Sequence, residues 1–310
     1  PAIDVRGTCV AVYDYAYYNE TLLGNQSIII TPDNGKHDIQ ALVKFNRRFR
    51  ILYYSSVNVL DNILIDHNCD ILYCIKYGKR DGIESNRVKT VVHCVFVMSE
   101  PHGAIYAGVS ETLARKFNRK EYVPHMVGLK SSTTGENMRK WLGIPESATV
   151  LGRHGGQDTF DLDIAKRAIN SAVNTRSDLY FLFVNTPKFM NHDRVIFLDK
   201  IVDVDEKTRF ICTCDGMIHA QSLGETFGLS IAEFSINNKP IITFGGPVWN
   251  AAYRDILGDR AIYYYSQEDC HKILINFDKI KYQHVDLNCY RDYSPERVMG
   301  IFKRVFIDGL

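Results

Sequence analysis

Gly224-Glu225-Thr226-Phe227-Gly228-Leu229-Ser230-Ile231-Ala232-Glu233-Phe234 sets two carboxylates eight positions apart, with a Thr-Phe-Gly-Leu turn between them and an apolar, helix-like run after the turn. Thr226 is the expected N-cap, since a threonine hydroxyl accepts from the first free amides of a helix. The amides of Phe227, Gly228 and Leu229 are then the unpaired donors of a helix N-terminus, where the positive dipole end favours an anion such as phosphate. Gly228 lets the backbone approach a ligand with no side chain in the way. Glu233, further into the helix, suits a ribose diol, and Glu225, ahead of it, suits a sugar hydroxyl. A hydrogen bond to a charged carboxylate contributes about 1.5–3 kcal/mol, so two such anchors matter. A second reading stays open on these residues alone: an amphipathic helix with solvated acids, whose core face is Leu229, Ile231, Ala232 and Ile236. Asn237-Asn238-Lys239-Pro240 ends the helix, and Ile241-Ile242-Thr243-Phe244 reads as a buried strand running into Gly245-Gly246.

Working outward, strand-like and helix-like stretches alternate along the whole chain, which argues for an α/β fold of parallel sheets with crossover helices. In the first half the expected strands are Thr8–Tyr13, Ser27–Thr31, Arg50–Tyr54, Asp70–Ile75, Val88–Val97, Ala104–Ser110 and Tyr122–Val127. The helices are Asp38–Arg47, Asn58–His67 and Glu111–Phe117. The run 128–136 is small, polar and glycine-containing, and it marks a domain boundary. The second half is expected to run strand 148–152, helix 161–173, strands 179–184, 195–198 and 209–213, helix 228–237 and strand 240–244. Ser294 as N-cap and Pro295 as first helical residue start a last helix over about 294–307. The expected organisation is a first domain over 1–130, a second over 137–293 and a C-terminal helix over 294–310.

With 310 residues, 45% of them hydrophobic and 24% charged, the chain has material for two cores of ordinary globular composition. A formal net charge of +1 gives no global attraction to nucleic acid. The basic run Lys44-Phe45-Asn46-Arg47-Arg48-Phe49-Arg50 reads as the solvated face of a helix; its sharper alternative is contact with a membrane surface or an acidic acceptor. Cys9, Cys69, Cys74, Cys94, Cys212, Cys214, Cys270 and Cys289 form no Cys-x2-Cys pair, so reduced thiols in a cytoplasmic protein are expected. No signal peptide and no spanning apolar run stands in the sequence. The chain begins at Pro1 rather than Met, and a compact or excised domain is expected. A Gly-x-Gly-x-x-Gly fingerprint is missing after the first expected strand, which counts against a nicotinamide oxidoreductase.

These residues resemble a known family. The Glu-x7-Glu spacing of Glu225 and Glu233 is similar to the signature of retaining glycosyltransferases built from two facing Rossmann-like domains, the GT-B fold, and closest to family 4. The likeness extends to Met138-Arg139-Lys140-Trp141-Leu142-Gly143-Ile144-Pro145 followed by Thr149-Val150-Leu151-Gly152-Arg153, which resembles the opening of the family's donor domain, and to Pro240 through Gly246. It is continuous over about 138–265 and weaker before that. The resemblance implies a final helix that crosses back to the first domain. It also implies transfer of a sugar from a nucleotide-diphosphate donor, of uridine or guanosine type, to a hydroxyl of a glycan or glycoconjugate, with retention. No metal and no cofactor beyond the donor are implied.

The resemblance also assigns candidates. Arg153, with His154, Gly155 and Gly156 beside it, stands where the family grips the diphosphate; the lysine that usually follows is replaced by Gln157, Asp158 and Thr159. Thr226, Phe227, Gly228, Leu229 and Glu233 complete the donor set, Ile201 is the base contact, and Lys200 is a substitute phosphate cation. Glu225 and His93 are the catalytic candidates, His93 from its likeness to a histidine facing the transferred sugar. The residues themselves, not the resemblance, give the acceptor-side candidates: Asp14, Tyr15 and Asn19 in a tyrosine-rich loop after the first expected strand, where aromatic faces with a carboxylate and an amide suit carbohydrate or nucleotide contacts, and Lys76 in a loop after another strand. The absent lysine favours an alternative, a catalytically silent module of the same fold that binds sugar nucleotides or glycans. Oligomeric state, sugar and linkage are not written in these residues.

Overall fold

The computed structural model describes residues 2–129, 131 and 135–309. Residues 130 and 132–134 of the linker-like run lie outside them. The chain divides into two compact units, Pro1–Gly128 with Tyr293–Leu310, and Leu129–Asp292.

The first unit opens with helix α1 (Gly7–Thr21), where a strand was expected over Thr8–Tyr13. Val10, Val12 and Tyr13 favour a strand, but Ala11, Tyr15 and Tyr18 fall on one helical stripe that packs into the core. Strand β1 (Ile28–Pro32), helix α2 (Ile39–Asn46), strand β2 (Arg50–Tyr54) and helix α3 (Leu60–Asp66) follow. Asp38 caps α2 by accepting from the amides of Gln40 and Ala41. Then come β3 (Ile71–Lys76), β4 (Lys89–Cys94), β5 (Ile105–Gly108) and α4 (Glu111–Lys116), which Ser110 caps. The expected strand over Tyr122–Val127 reduces to one bridge from Tyr122 to Gly108. Pro124 has no N–H to extend a ladder, and the carbonyls of Val123 and Pro124 accept from His93 and Tyr15 instead.

The parallel strands of this unit form two sheets, β1-β2 and β3-β4-β5. A cavity of about 810 Å³ lies between the edges of β1 and β3, lined by Ile29, Ile30, Leu72, Val12 and Phe302 among others.

The second unit is a more regular layer structure. Helix α5 (Arg139–Leu142) leads to β6 (Thr149–Arg153), α6 (Asp163–Thr175), β7 (Leu179–Val184) and β8 (Val195–Leu198). Next is α7 (Val204–Thr213), capped by Asp203, whose carboxylate accepts from the Glu206 amide. The run 209–213, expected as a strand, is the last part of α7, and the strand is β9 (Gly216–His219). A short apolar run such as Phe210-Ile211-Cys212 does not by itself distinguish helix from strand; the Asp203 cap and the helical burial of Phe210, Ile211 and Cys214 decide it.

Strand β10 (Gly224–Glu225), α8 (Leu229–Ile236), β11 (Ile241–Phe244), β12 (Asn250–Ala251), α9 (Ala252–Leu257), β13 (Ile262–Tyr264) and α10 (Gln267–Asn276) complete the unit. The main sheet has the order β13-β11-β9-β6-β7-β8 and every pairing in it is parallel. Its Leu151, Phe181, Phe183, Ile218 and Ile242 pack with α6 and α10. On β6, Gly152 leaves the space that the Cys214 thiol and the Phe210 ring fill, so α7 lies close on that strand.

The chain then returns to the first unit as α11 (Pro295–Phe302), capped by Ser294 with Pro295 in the first turn. Val298, Met299, Phe302 and Phe306 are part of that unit's core.

Candidate functional site

In the second unit the chain builds the sheet outward from β6 through β7 to β8, then crosses back to place β9 on the other side of β6. The connections after β6 and β9 therefore diverge, which opens a crevice at the carboxyl ends of these two strands. In open parallel sheets this switch point is where ligands bind. Arg153 and His154 stand at the end of β6, His219 ends β9, and Glu225 and Glu233 follow on β10 and α8.

Gly228, not Thr226, is the N-cap of α8. It has φ +85°, a left-handed conformation that favours glycine, and no side chain caps the helix. Thr226 and Phe227 are buried, and the Phe227 carbonyl accepts from Tyr290 Oη at 2.8 Å. The short ladder of β10 with β12 fixes the backbone of Glu225 opposite Ala251.

Glu233 is buried in a charged group. Lys207 Nζ donates to its Oε1 at 2.8 Å, and His154 Nε2 lies 3.0 Å from its Oε2, in contact but off the line a hydrogen bond prefers. Burial would raise the Glu233 pKa, but the attraction of Lys207 and then of His154 outweighs it and holds the carboxyl down at about 2. Burial lowers the pKa of His154. Its ring stacks on Phe234 and meets Phe210 edge-on. Lys207 is a cation of this cluster that the sequence reading missed. The Asp203 cap placing Lys207 in the first turns of α7 was the available signal, hidden by reading the region as a strand.

Arg153 is 2% exposed. Its Nη1 donates to Thr186 Oγ1 at 2.5 Å, and Nη2 to the Gly156 carbonyl at 2.7 Å and to Thr159 Oγ1. The guanidinium thus ties the loop after β6 to the loop after β7. Burial brings its pKa down to about 10, opposed by the attraction of Glu225. Gly155, at φ +154°, and Gly156 form the turn that folds over it. Ile201 lies half-buried in the irregular segment between β8 and α7.

The first-unit candidates occupy different surroundings. His93, on β4, is fully buried. Its Nε2 donates to the Val123 carbonyl at 2.7 Å and its Nδ1 accepts from Tyr73 Oη at 2.8 Å. Burial pushes its pKa down to about 3. Both nitrogens are taken and the ring packs against Tyr15, His125 and Phe306, so within its unit His93 is a core residue. Tyr15 is likewise enclosed on α1, donating to the Pro124 carbonyl at 2.7 Å. Asp14 lies on α1 beside Gly128, and Asn19 ties α1 to Ser27 and Asn25. The tyrosine-rich stretch expected as a loop is thus a helix. Lys76 Nζ donates to Asp81 at 2.6 Å, to the Ile83 carbonyl at 2.7 Å and to His102 Nε2 at 3.1 Å, which pins the loop after β3.

Among the described residues no three His, Cys, Asp or Glu side chains gather as metal ligands, and no helix is long and apolar enough to cross a membrane.

No protein-family model matches the chain, and no curated protein matches its sequence. Solved structures match it over essentially its full length. A glycosyltransferase from Rickettsia africae shares 14% identity at a TM-score of 0.69, with 98% of each chain covered. Anabaena HepE, in complex with UDP-glucose, shares 13% identity at a TM-score of 0.75, covering 100% of this chain and 98% of its own. A sucrose-phosphate synthase from Thermosynechococcus elongatus shares 10% identity at 0.69, covering 100% and 96%. The chain therefore has the α/β, parallel-sheet fold of the GT-B glycosyltransferases.

Proposed function

We propose that the protein is a retaining glycosyltransferase that takes a nucleotide-diphosphate sugar as donor and a hydroxyl of a glycan or glycoconjugate as acceptor. One observation carries this reading: Arg153, His154, Glu225 and Glu233 gather at the switch point between β6 and β9, beside the glycine-capped start of α8. The amides at the start of α8 hold the diphosphate, and the positive end of that helix offsets its charge. Glu233, with lone pairs beyond the two directed at Lys207 and His154, accepts from the ribose diol. Glu225 accepts from a hydroxyl of the transferred sugar.

In the reaction the acceptor oxygen forms a bond to the anomeric carbon on the face the donor leaves. The bond from that carbon to the diphosphate breaks, and its electron pair stays on the phosphate oxygen. The acceptor proton passes to the departing diphosphate. Charge on the leaving group is met by fixed amides and by the cations Arg153 and Lys207, a preorganised arrangement that favours the transition state. The family-4 likeness, retention and metal independence belong to this proposal.

A second reading, a silent sugar-nucleotide or glycan-binding module, is favoured by the commitment of both Arg153 Nη nitrogens to Thr186, Thr159 and Gly156. Thermal-shift titration with uridine, guanosine and nicotinamide nucleotides, followed by assay for donor hydrolysis, separates the readings. Protection by a nucleoside diphosphate with slow release of sugar is expected. Protection without turnover of any donor supports the silent module. Protection by the nicotinamide dinucleotide alone refutes both.

A further inference from the structure

His219 is 4% exposed and ends β9 at the crevice. Its Nδ1 lies 2.9 Å from Thr243 Oγ1 on β11. Among the described residues its Nε2 is buried with no hydrogen-bond partner, and it faces Glu225 Oε1 at 3.7 Å. The ring rests against Tyr253 at 5.3 Å, and its backbone carbonyl accepts from Tyr264 Oη at 3.0 Å. A buried imidazole nitrogen aimed at a carboxylate, one step beyond hydrogen-bond range, is a costly arrangement unless it is used.

In the neutral ring the proton can be placed by elimination. If Nδ1 carried it, the Nε2 lone pair would face the Glu225 carboxylate and the two would repel. If the Thr243 hydroxyl donates to Nδ1, the proton sits on Nε2 and points at Glu225. The partner of one ring nitrogen thereby sets the tautomer at the other.

We propose that Thr243 and His219 are positioning residues for Glu225: Thr243 holds the tautomer, and the Nε2–H fixes one carboxylate oxygen so that the other accepts from a hydroxyl of the donor sugar. The proposal rests on the reading of Glu225 as a sugar-binding carboxylate. The gap of 3.7 Å closes to hydrogen-bond length with a shift of under about 1 Å, and ligand binding supplies that shift. Sequence reading passed over His219, since the strand was expected over 209–213 and β9 was not read; its neighbours Thr243 and Glu225 come from two other strands.

The test uses the full chain and two measurements. A long-range nitrogen–hydrogen correlation spectrum of the imidazoles reports the tautomer directly. Turnover of UDP-glucose, read as release of UDP, is compared for Thr243→Val, which keeps shape and loses the hydroxyl, and Thr243→Ser, which keeps the hydroxyl. The expected result is the Nε2–H tautomer in the parent, a roughly tenfold fall in kcat for Thr243→Val with KM little changed, and Thr243→Ser within about twofold of the parent. A proton on Nδ1, or equal kcat in both variants and the parent, overturns the proposal. If Glu225→Gln leaves turnover untouched, the reading of Glu225 as a sugar-binding carboxylate fails and the proposal with it; if the parent turns over no donor, the transferase reading fails, and the spectrum still decides where the His219 proton lies.

Discussion

Replacing Lys207 with Met isolates what holds Glu233 in its buried charged state. The methionine keeps much of the lysine's apolar length and removes the ammonium that sits 2.8 Å from Glu233 Oε1. At that distance the attraction is about 6 kcal/mol at an effective dielectric of about 20. Ordering the lysine side chain offsets about 1.5–2 kcal/mol of this. A buried ion pair broken on one side costs about 3–5 kcal/mol, since the remaining charge has no full partner. His154, whose pKa burial lowers, does not replace the full charge of Lys207.

The pH dependence has a definite sign. In the parent, Glu233 is held down at about 2 from an ordinary value of 4.5. Its contribution is fully present above pH 4.5 and is lost as the pH falls towards 2. In Lys207→Met the burial acts without Lys207, so the carboxyl binds its proton at higher pH. The deficit of the variant is then largest at neutral pH and shrinks on acidification. Urea unfolding followed by hydrogen exchange of the amides within Leu129–Asp292 reports this unit alone. A deficit below about 1 kcal/mol at pH 7, or one that grows as the pH falls to 4, refutes the reasoning. Lys207→Met combined with Glu233→Gln should be less destabilised than Lys207→Met alone.

Two further outcomes follow from the geometry. Gly224→Ala should destabilise the second unit by more than about 1 kcal/mol in the same urea assay, since Gly224 sits at φ +68° and a Cβ there overlaps the Asn250 carbonyl across the β10–β12 ladder; a change within about 0.5 kcal/mol contradicts that. His93 should stay unprotonated from pH 7 to 5, its ring proton resonances not titrating, because burial and then the neighbouring His125 favour the neutral ring and outweigh the Val123 carbonyl; a midpoint near 6.5 would place it at an accessible site instead.

Both units were legible in part. In the first, β1, α2, β2, α3, β3, β4, β5 and α4 could be read within a few residues of their bounds, and in the second β6, α6, β7, β8, α8 and β11, whereas β9, α9, β13 and α10 were not read. The misreadings share a cause. Over Thr8–Tyr13 and 209–213 the residues favour a strand locally, and packing of a helical stripe overrides them. The split of the first unit's strands into two sheets has no local signal, since strand pairing is set by elements far apart in sequence.

By itself the sequence determined the parallel α/β class, the start of the last helix at Ser294 and Pro295, and the stretch from Glu225 to Glu233 as the place to look. Periodicity, caps and turn residues act within a few positions and are written there directly. Only the tertiary structure decided the state of each side chain. It gave Glu233 a lysine 26 residues upstream and His219 a threonine 24 residues on. It spent Arg153 on neighbouring loops and sealed His93 in the core. Charge, burial and tautomer depend on which distant groups the fold brings within about 3 Å, and no spacing along the chain encodes that.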